Sequence, residues 1–299
     1  MDTEFARTFL TVVAAGNFVT AAERLHLTQS TVSARIKTLE RQFGATLLQR
    51  GRHGAELTPA GQRFLRHAKS LVQTVEQARH DVGLPSGYSG SLTLRARIAL
   101  WDGFLTRWSD WMRQRMPDVS LRLEIGFEED TMQGLVRGTA DLGVMYTPQN
   151  RPGLGIEHLF DERLALVTTD RDGHWQSADY IHIDWGPEFE AQFANRYPDQ
   201  PAPALQANVG WLGVQRMLAV GGSGFFPSRM TRELVEAGQL RPVADAPLIS
   251  LPVYLVYPQG RDDAAVCAAI EGLRLLSTEE RARSAENEKA SRSGGFQGR

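Results

Sequence analysis

The chain has 299 residues, which is enough for two or three domains. Its hydrophobic fraction of 42% is that of an ordinary globular protein, and no apolar run approaches the roughly 20 residues that span a bilayer. A single cysteine, Cys267, excludes a disulfide framework and any cysteine-rich metal site. The first residues are acidic and amphipathic, unlike a secretory signal, so we expect a cytoplasmic protein.

The net charge of −2 is unevenly distributed along the chain. Residues 1–83 contain eleven lysines and arginines against seven aspartates and glutamates, so the N-terminal third is basic and the remainder acidic. This asymmetry is typical of a nucleic-acid-binding domain attached to a domain with another task.

Residues 1–58 are predicted to form an all-α winged helix-turn-helix domain. After a first helix over residues 3–15 and a break at Gly16 and Asn17, residues 21–50 contain two short helices separated by a tight turn. The second of these carries an apolar stripe at helical spacing, with a polar and cationic face opposite. The stripe consists of Val32, Ile36, Leu39 and Phe43. Thr28 occupies its N-cap position. Such a helix enters the DNA major groove; a helical hairpin that only packs would show part of the same pattern.

Residues 44–57 contain glycines, arginines and short apolar stretches, which predict a small wing. Arg50 and Arg52 would then lie beside DNA phosphates, where contacts position a protein without reading sequence. Solvated loop arginines are the alternative for either residue.

A long linker helix is predicted over residues 59–83, because Thr58 is a good N-cap and Pro59 is favoured at the first helical position. Apolar residues then alternate at spacings of four and three, as in a coiled-coil seam. This predicted dimerisation seam consists of Phe64, Ala68, Leu71, Val75, Ala78 and Val82. The alternative is that the seam packs on the protein's own body.

Residues 84–90 are rich in Pro, Gly and Ser and predict a hinge. Beyond them, strands and helices alternate through residues 91–276, which predicts a two-lobed α/β domain with parallel strands. We place lobe I at about residues 91–160 and 258–276 and lobe II at about 161–257. Residues 277–299 are polar, charged and rich in Gly and Ser, so a disordered tail is predicted there.

This order of domains resembles the LysR-type transcriptional regulators. The matching residues of the N-terminal part are Ala21, Ala22, Leu25, Thr28, Gln29, Ser30, Val32, Ser33, Ile36, Leu39, Glu40, Phe43, Gly44, Leu47, Leu48, Arg50, Leu57, Thr58, Pro59, Ala60 and Gly61. Gly90, Gly138, Asp141, the run at 221–224 and Pro227 resemble the effector domain of the family, and segments 100–102 and 181–186 resemble its HdfR-like branch.

The resemblance implies a periplasmic-binding-protein-like effector domain, a homodimer or homotetramer on promoter DNA, and a small-molecule effector with no cofactor and no metal. It also implies that seven residues face DNA: Thr28, Gln29, Ser30, Thr31, Ser33, Arg35 and, from the wing, Arg50. On physical grounds Gln29 is the best base reader, because its amide can pair bidentately with adenine.

The effector cleft should be lined by the C-terminal ends of the strands and by the following loops. The predicted lining residues are Ala99, Leu100, Trp101, Asp102, Phe127, Met145, Tyr146, Trp185, Ser223 and Phe225. This lining is aromatic and poor in arginine and lysine, which favours a modest apolar or aromatic effector. Trp101 and Trp185 could equally be core residues.

Two other classes of protein compete with a regulator. A small-molecule-binding or hydrolytic α/β protein would keep the helical domain only for interactions. However, Phe225 stands where the G-x-S-x-G nucleophile motif needs glycine, the histidines show no metal-ligand spacing, and we predict no catalytic residue. A solute-binding protein would fit the two lobes, but the basic N-terminal third and the absence of a signal peptide oppose it.

Overall fold

The computed structural model describes residues 3–51, 54–84, 87–173, 175, 179–244 and 246–294. The N-terminal elements are α1 (Thr3–Ala15), α2 (Phe18–Leu25), α3 (Gln29–Phe43), β1 (Leu48–Gly51), β2 (Gly54–Leu57) and α4 (Pro59–Asp81). The strands β1 and β2 pair antiparallel as a hairpin, from Leu48 opposite Leu57 to Gly51 opposite Gly54. The predicted winged helix-turn-helix followed by a long linker helix is confirmed.

The apolar stripe of α3 packs into a core shared with α1, α2 and α4. Val32, Ile36 and Leu39 are buried there. Phe43 is half exposed, and its ring lies 4.8 Å from that of Phe64 on α4. The core therefore fixes α3 by three residues of the predicted stripe, while the fourth closes its C-terminal end.

The predicted dimerisation seam on α4 divides into two halves. Phe64 and Ala68 are buried against the protein's own α1, with the Phe64 ring 5.1 Å from Phe9, so for these two residues packing on its own body is what the structure shows. The reason is that α1 packs along α4 and offers a matching apolar face. By contrast, the later seam residues become progressively more exposed, and Val82 is 89% exposed.

The effector domain contains strands β3 to β11 and helices α5 to α11. They are β3 (Gly90–Ala96), α5 (Ile98–Leu100), α6 (Thr106–Arg115), β4 (Val119–Ile125), α7 (Glu128–Arg137), β5 (Leu142–Met145), β6 (Leu154–Thr168), β7 (Ile181–Ile183), α8 (Pro187–Arg196), β8 (Leu205–Ala207), α9 (Gly210–Val220), β9 (Ser223–Pro227), α10 (Ser228–Glu236), β10 (Arg241–Pro242), β11 (Ile249–Pro258) and α11 (Ala264–Gly294).

One mixed sheet runs through both lobes in the order β10-β6-β11-β5-β3-β4, with β9 also paired to β6. In lobe I, β3 pairs parallel with β4 and with β5, as predicted. The antiparallel strands β6 and β11 pass from one lobe to the other. Because the end of β11 pairs with β5 from Tyr254 onward, lobe I resumes near residue 254, a few residues before the predicted 258. A separate parallel pair, β7 and β8, lies in lobe II.

The segment after β3 is not one continuous helix. A short helix, α5, is followed by a widened helical segment at Trp101–Leu105, in which Asp102 and Gly103 leave helical geometry. Gly103 has φ +70°, a conformation that its missing side chain permits. The bend points the Asp102 carbonyl away from the helix axis, and this carbonyl becomes important in the cleft.

Helix α11 extends to Gly294, whereas the sequence predicted a disordered tail from Ser277. Ser277 and Glu280 are buried, the Arg281 side chain donates to the Leu159 and His158 carbonyls, and Arg107 pairs with Glu280 at 3.1 Å. These contacts, together with strong helix formers such as Glu, Ala, Arg and Lys, favour helix over disorder. On the same helix Cys267 is exposed. None of the helices in the described residues is long and apolar enough to cross a membrane.

The two domains touch through α7 and the loop at residues 149–153. Arg24 of α2 pairs with Glu129 of α7 at 3.2 Å, and its carbonyl accepts from Arg137 at 2.6 Å. The Lys69 ammonium on α4 donates to the Pro152 carbonyl at 2.6 Å. Burial in this contact lowers the pKa of Lys69 to about 8.

The lowered pKa of Lys69 makes the domain contact depend on pH. An unfolded lysine keeps its proton up to about pH 10.4, so between about pH 8 and that value the unfolded chain binds more protons than the folded one. We therefore expect Lys69 to favour the folded state increasingly as pH rises through this window, by about 1 kcal/mol after solvent screening. Urea unfolding of wild type and Lys69→Met across the window measures this; parallel pH profiles would contradict it.

Candidate nucleic-acid interface and effector cleft

The turn of the helix-turn-helix is held by two side-chain caps. The Asn17 side chain accepts from the Thr20 backbone N–H at 2.8 Å and begins α2. Thr28 accepts from the Thr31 N–H at 3.2 Å and begins α3, as predicted for its N-cap role. Its hydroxyl also lies 2.9 Å from that of Ser30 and 2.8 Å from that of Thr31. These three predicted DNA-facing residues thus form one hydroxyl cluster at a helix N-terminus, where an anion such as a phosphate is favoured.

A concave groove of about 540 Å³ lies between α3, the start of α2 and the wing. Gln29 and Ser33 line it, as does Lys37, and Gln49 lines it from β1. Gln29 and Lys37 are exposed. The groove therefore presents an amide, a hydroxyl and an ammonium group side by side on one helix, which are the groups that contact base edges and phosphates. Lys37 was noted on the polar face of the helix but not among the predicted DNA contacts.

The carboxylate of Glu40 fixes the wing to α3. It accepts from the backbone N–H groups of Leu47 at 2.8 Å and of Leu48 at 3.2 Å, where β1 begins. From the other side, the Thr58 hydroxyl donates to the Thr46 carbonyl at 2.7 Å. The start of the wing is therefore held between the end of α3 and the start of α4.

Arg35 is placed differently from the prediction. Its guanidinium donates to the Thr8 hydroxyl at 3.2 Å and pairs with Glu4 of α1 at 3.4 Å. It lies on a different side of α3 from the groove-lining residues Gln29, Ser33 and Lys37, so the structure gives it a contact with α1 where the sequence predicted DNA. In the wing, the Arg50 backbone pairs with Ala55, and Arg52 lies outside the described residues.

Most of the predicted cleft lining is buried, including five residues that lie in the core of the domain. Leu100, Met145, Trp185, Ser223 and Phe225 are buried. The Trp185 indole N–H donates to the Phe225 carbonyl at 2.9 Å, and the Ser223 hydroxyl donates to Trp175 at 2.8 Å, so the core alternative holds for Trp185. The sequence could place these residues near strand ends but not tell which side chains turn inward.

The other five predicted residues lie at the junction of the lobes or beside it. Ala99 and Tyr146 are buried, Trp101 is half-buried, and Asp102 and Phe127 are exposed. Two buried arginines that the sequence reasoning missed join them. Arg97 lies 4.9 Å above the Phe127 ring, and Arg229 donates to the Ala99 carbonyl at 2.6 Å. The prediction of a lining poor in arginine is therefore wrong.

Each arginine has a carboxylate partner. Arg97 pairs with Glu128 at 3.3 Å, and Arg229 pairs with Glu162 at 2.5 Å. Burial raises the pKa of Glu162, and the neighbouring guanidinium opposes that shift. Desolvation would lower the pKa of Arg229, but Glu162 outweighs it and the net pKa is raised, so the arginine stays charged. Glu162 lies among several other charged residues of β6, so no sequence signal singled out this pair.

These features define a DNA-binding transcriptional regulator with a two-lobed α/β domain built to hold a small molecule. Residues 4–62 match the family described as "Bacterial regulatory helix-turn-helix protein, lysR family", and residues 85–275 match the "LysR substrate binding domain". The chain belongs to the LysR family of transcriptional regulators.

A curated relative, the HTH-type transcriptional regulator HdfR of Yersinia enterocolitica, is 32% identical over 274 residues, covering 88% of this chain and 92% of the relative. This supports the predicted likeness to the HdfR-like branch. Among solved structures, full-length LysG of Corynebacterium glutamicum with bound effector Arg has TM-score 0.58 at 20% identity, covering 93% of this chain and 99% of that one. DarR of Vibrio fischeri in complex with DNA has TM-score 0.56 at 19% identity, covering 92% and 99%. The two structures share the fold of this chain.

Proposed function

We propose that this protein regulates transcription by placing α3 in the major groove of promoter DNA. Its activity is modulated by a small-molecule effector bound between its lobes. The groove lined by Gln29, Ser33 and Lys37 is the observation that carries the DNA contact. The hydroxyl cluster of Thr28, Ser30 and Thr31 at the N-terminus of α3 suits the flanking phosphates. The DNA complex of DarR, a protein of the same fold, supports this mode of action.

Oligomerisation belongs to the same proposal. The second half of the α4 seam keeps the heptad spacing through Val75, Ala78 and Val82. The described part of the chain does not bury Val82, which is 89% exposed. A second copy of the chain would cover it and present a second α3 to the next half-site.

We further propose that the protein works in the cytoplasm, where promoter DNA is found. We also propose that it binds its effector without a cofactor and without converting it, in keeping with relatives named as regulators.

Gln29→Ala is expected to weaken binding to the protein's own promoter region at least tenfold, because a bidentate amide–adenine contact contributes about 1–3 kcal/mol. Lys37→Ala should weaken binding to specific and non-specific DNA alike and should reduce the salt dependence of binding, as expected when a phosphate contact is lost. Gln42→Ala is the matched control, since Gln42 is exposed on the same helix but outside the groove. Electrophoretic mobility shifts measure all three. Equal losses for Gln29→Ala and Gln42→Ala would contradict the assignment of the groove.

A further inference from the structure

The two buried arginines join the lobes. Arg97, which follows β3 in lobe I, donates to the Asp184 carbonyl of lobe II at 3.0 Å. Arg229, at the start of α10 in lobe II, donates to the carbonyls of Ala99 and Asp102 in lobe I. Both arginines therefore hold the lobes together through neutral carbonyl acceptors. A ligand carboxylate is a stronger acceptor for a guanidinium than a carbonyl is, so it would compete for these donors.

Three buried polar atoms at this junction have no hydrogen-bond partner among the described residues. They are the Tyr146 hydroxyl, the Glu128 Oε1 oxygen and the Trp101 indole N–H. Tyr146 interacts electrostatically with Glu162 and Arg229 first, and then with Arg97 and Glu128. Glu128 itself pairs with Arg97 at 3.3 Å. Burial raises the pKa of Tyr146, so its hydroxyl is neutral and free to donate. Buried polar groups are almost always hydrogen-bonded, and such exceptions call for an explanation.

The chemistry of the unpartnered atoms is complementary. Tyr146 offers an O–H within electrostatic range of the Arg229 and Arg97 guanidinium groups, so the hydroxyl and an arginine together suit a carboxylate. Glu128 Oε1 can only accept when ionised, so it suits an ammonium. A purely acidic ligand would meet repulsion from Glu128, and a purely basic one would compete with Arg97 for Glu128. The exposed Phe127 ring lies next to Arg97 and offers an apolar surface for the rest of the ligand.

We propose that the effector is a small zwitterion of the α-amino-acid type, its carboxylate held by Arg97 and Tyr146 and its ammonium by Glu128. This inference rests on the proposed function, because it names the ligand of the effector cleft. It replaces the apolar or aromatic effector expected from the sequence. On binding, the carboxylate takes the Arg97 donor now given to Asp184, so the ligand changes the tie between the lobes.

The test uses the full-length protein and the twenty standard L-amino acids, each beside the acid that lacks its amino group and the amine that lacks its carboxylate. Thermal unfolding in about 10 mM ligand identifies binders, because a ligand that binds only the native state raises Tm. Titration calorimetry then gives affinities. We expect at least one amino acid to raise Tm, and its acid and amine analogues to bind at least tenfold more weakly.

Tyr146→Phe is the most informative variant, with Tyr180→Phe as its matched control. Both tyrosines are buried and both hydroxyls lack a partner, but Tyr180 packs in an aromatic cluster of lobe II with Phe193. Removing either hydroxyl breaks no hydrogen bond within the described chain, so stability should hardly change. Only Tyr146→Phe should weaken binding of the amino acid, by about tenfold. Glu128→Gln should weaken binding of the amino acid and leave binding of the acid analogue unchanged or tighter.

Four outcomes would overturn the inference. They are an acid or amine that binds as tightly as the amino acid, equal effects of the two tyrosine variants, a Glu128→Gln loss shared by the acid analogue, and no Tm change with any amino acid. If the protein still shifts its promoter DNA in these cases, the inference alone fails. If the wild-type protein instead showed no sequence preference for DNA, that result would contradict the proposed function.

Discussion

Gly61→Ala is expected to destabilise the DNA-binding domain by about 3 kcal/mol and to weaken promoter binding with it. A Cβ at this position would overlap the Leu47 carbonyl oxygen and would lie 3.0 Å from the Leu57 side chain. The carbonyl has little freedom to retreat, because it accepts from the Thr58 N–H at 3.0 Å and from the Thr58 hydroxyl at 3.2 Å. The substitution must therefore displace the start of α4 or the wing, and either movement costs hydrogen bonds.

Gly90→Ala is the control for this prediction. Gly90 begins β3, has no atom within 4 Å of an added Cβ and does not need a positive φ, so alanine should be tolerated there. Calorimetric unfolding and the promoter mobility shift should both separate the two variants. If Gly61→Ala matched Gly90→Ala in Tm and in DNA affinity, the wing would not depend on the close approach of α4.

The N-terminal domain was predictable because its signals are local. Thr28 caps α3 and Thr58 caps α4, and each hydroxyl accepts from the backbone N–H three residues later. The apolar stripe of α3 is periodic. What failed depended on partners far along the chain. Arg35 reads as a cation on a polar face until Glu4, 31 residues away, is placed beside it. Likewise the α4 seam is periodic whether it faces a second chain or α1.

The two-lobed plan was predictable, but not its crossing strands. The first part of β6 carries little signal for a strand, because it contains Glu157, His158, Asp161 and Glu162. Such residues discourage a strand assignment unless their partners are known, as with Glu157 and Arg274 or Glu162 and Arg229. The cleft chemistry failed for the same reason. Arg97 reaches an acceptor 87 residues away and Arg229 one 130 residues away, and no local pattern encodes such pairs.

Breaking the Glu162–Arg229 pair is expected to cost about 3–5 kcal/mol, because removing one partner leaves a buried charge uncompensated. Both side chains are nearly inaccessible, at 4% and 8% exposure. In Arg229→Met, the carbonyls of Ala99 and Asp102 also lose their donor across the lobes. The variant Glu162→Met/Arg229→Met should recover much of the loss, since an apolar pair of similar volume leaves no buried charge.

The stability of the two single variants should depend differently on pH. In Arg229→Met, Glu162 loses the cation that opposes its burial, so its folded-state pKa rises further above its unfolded value. A raised pKa favours folding at low pH, and that contribution is lost as pH rises through it, so this variant should be more destabilised near pH 8 than near pH 5. Glu162→Met removes the titrating carboxyl and its arginine cannot deprotonate, so the stability of this variant should change less between these pH values than that of Arg229→Met. Urea unfolding of the four proteins of the cycle at both pH values measures this. A constant deficit for Arg229→Met would mean that Glu162 finds another partner or water when the arginine is gone.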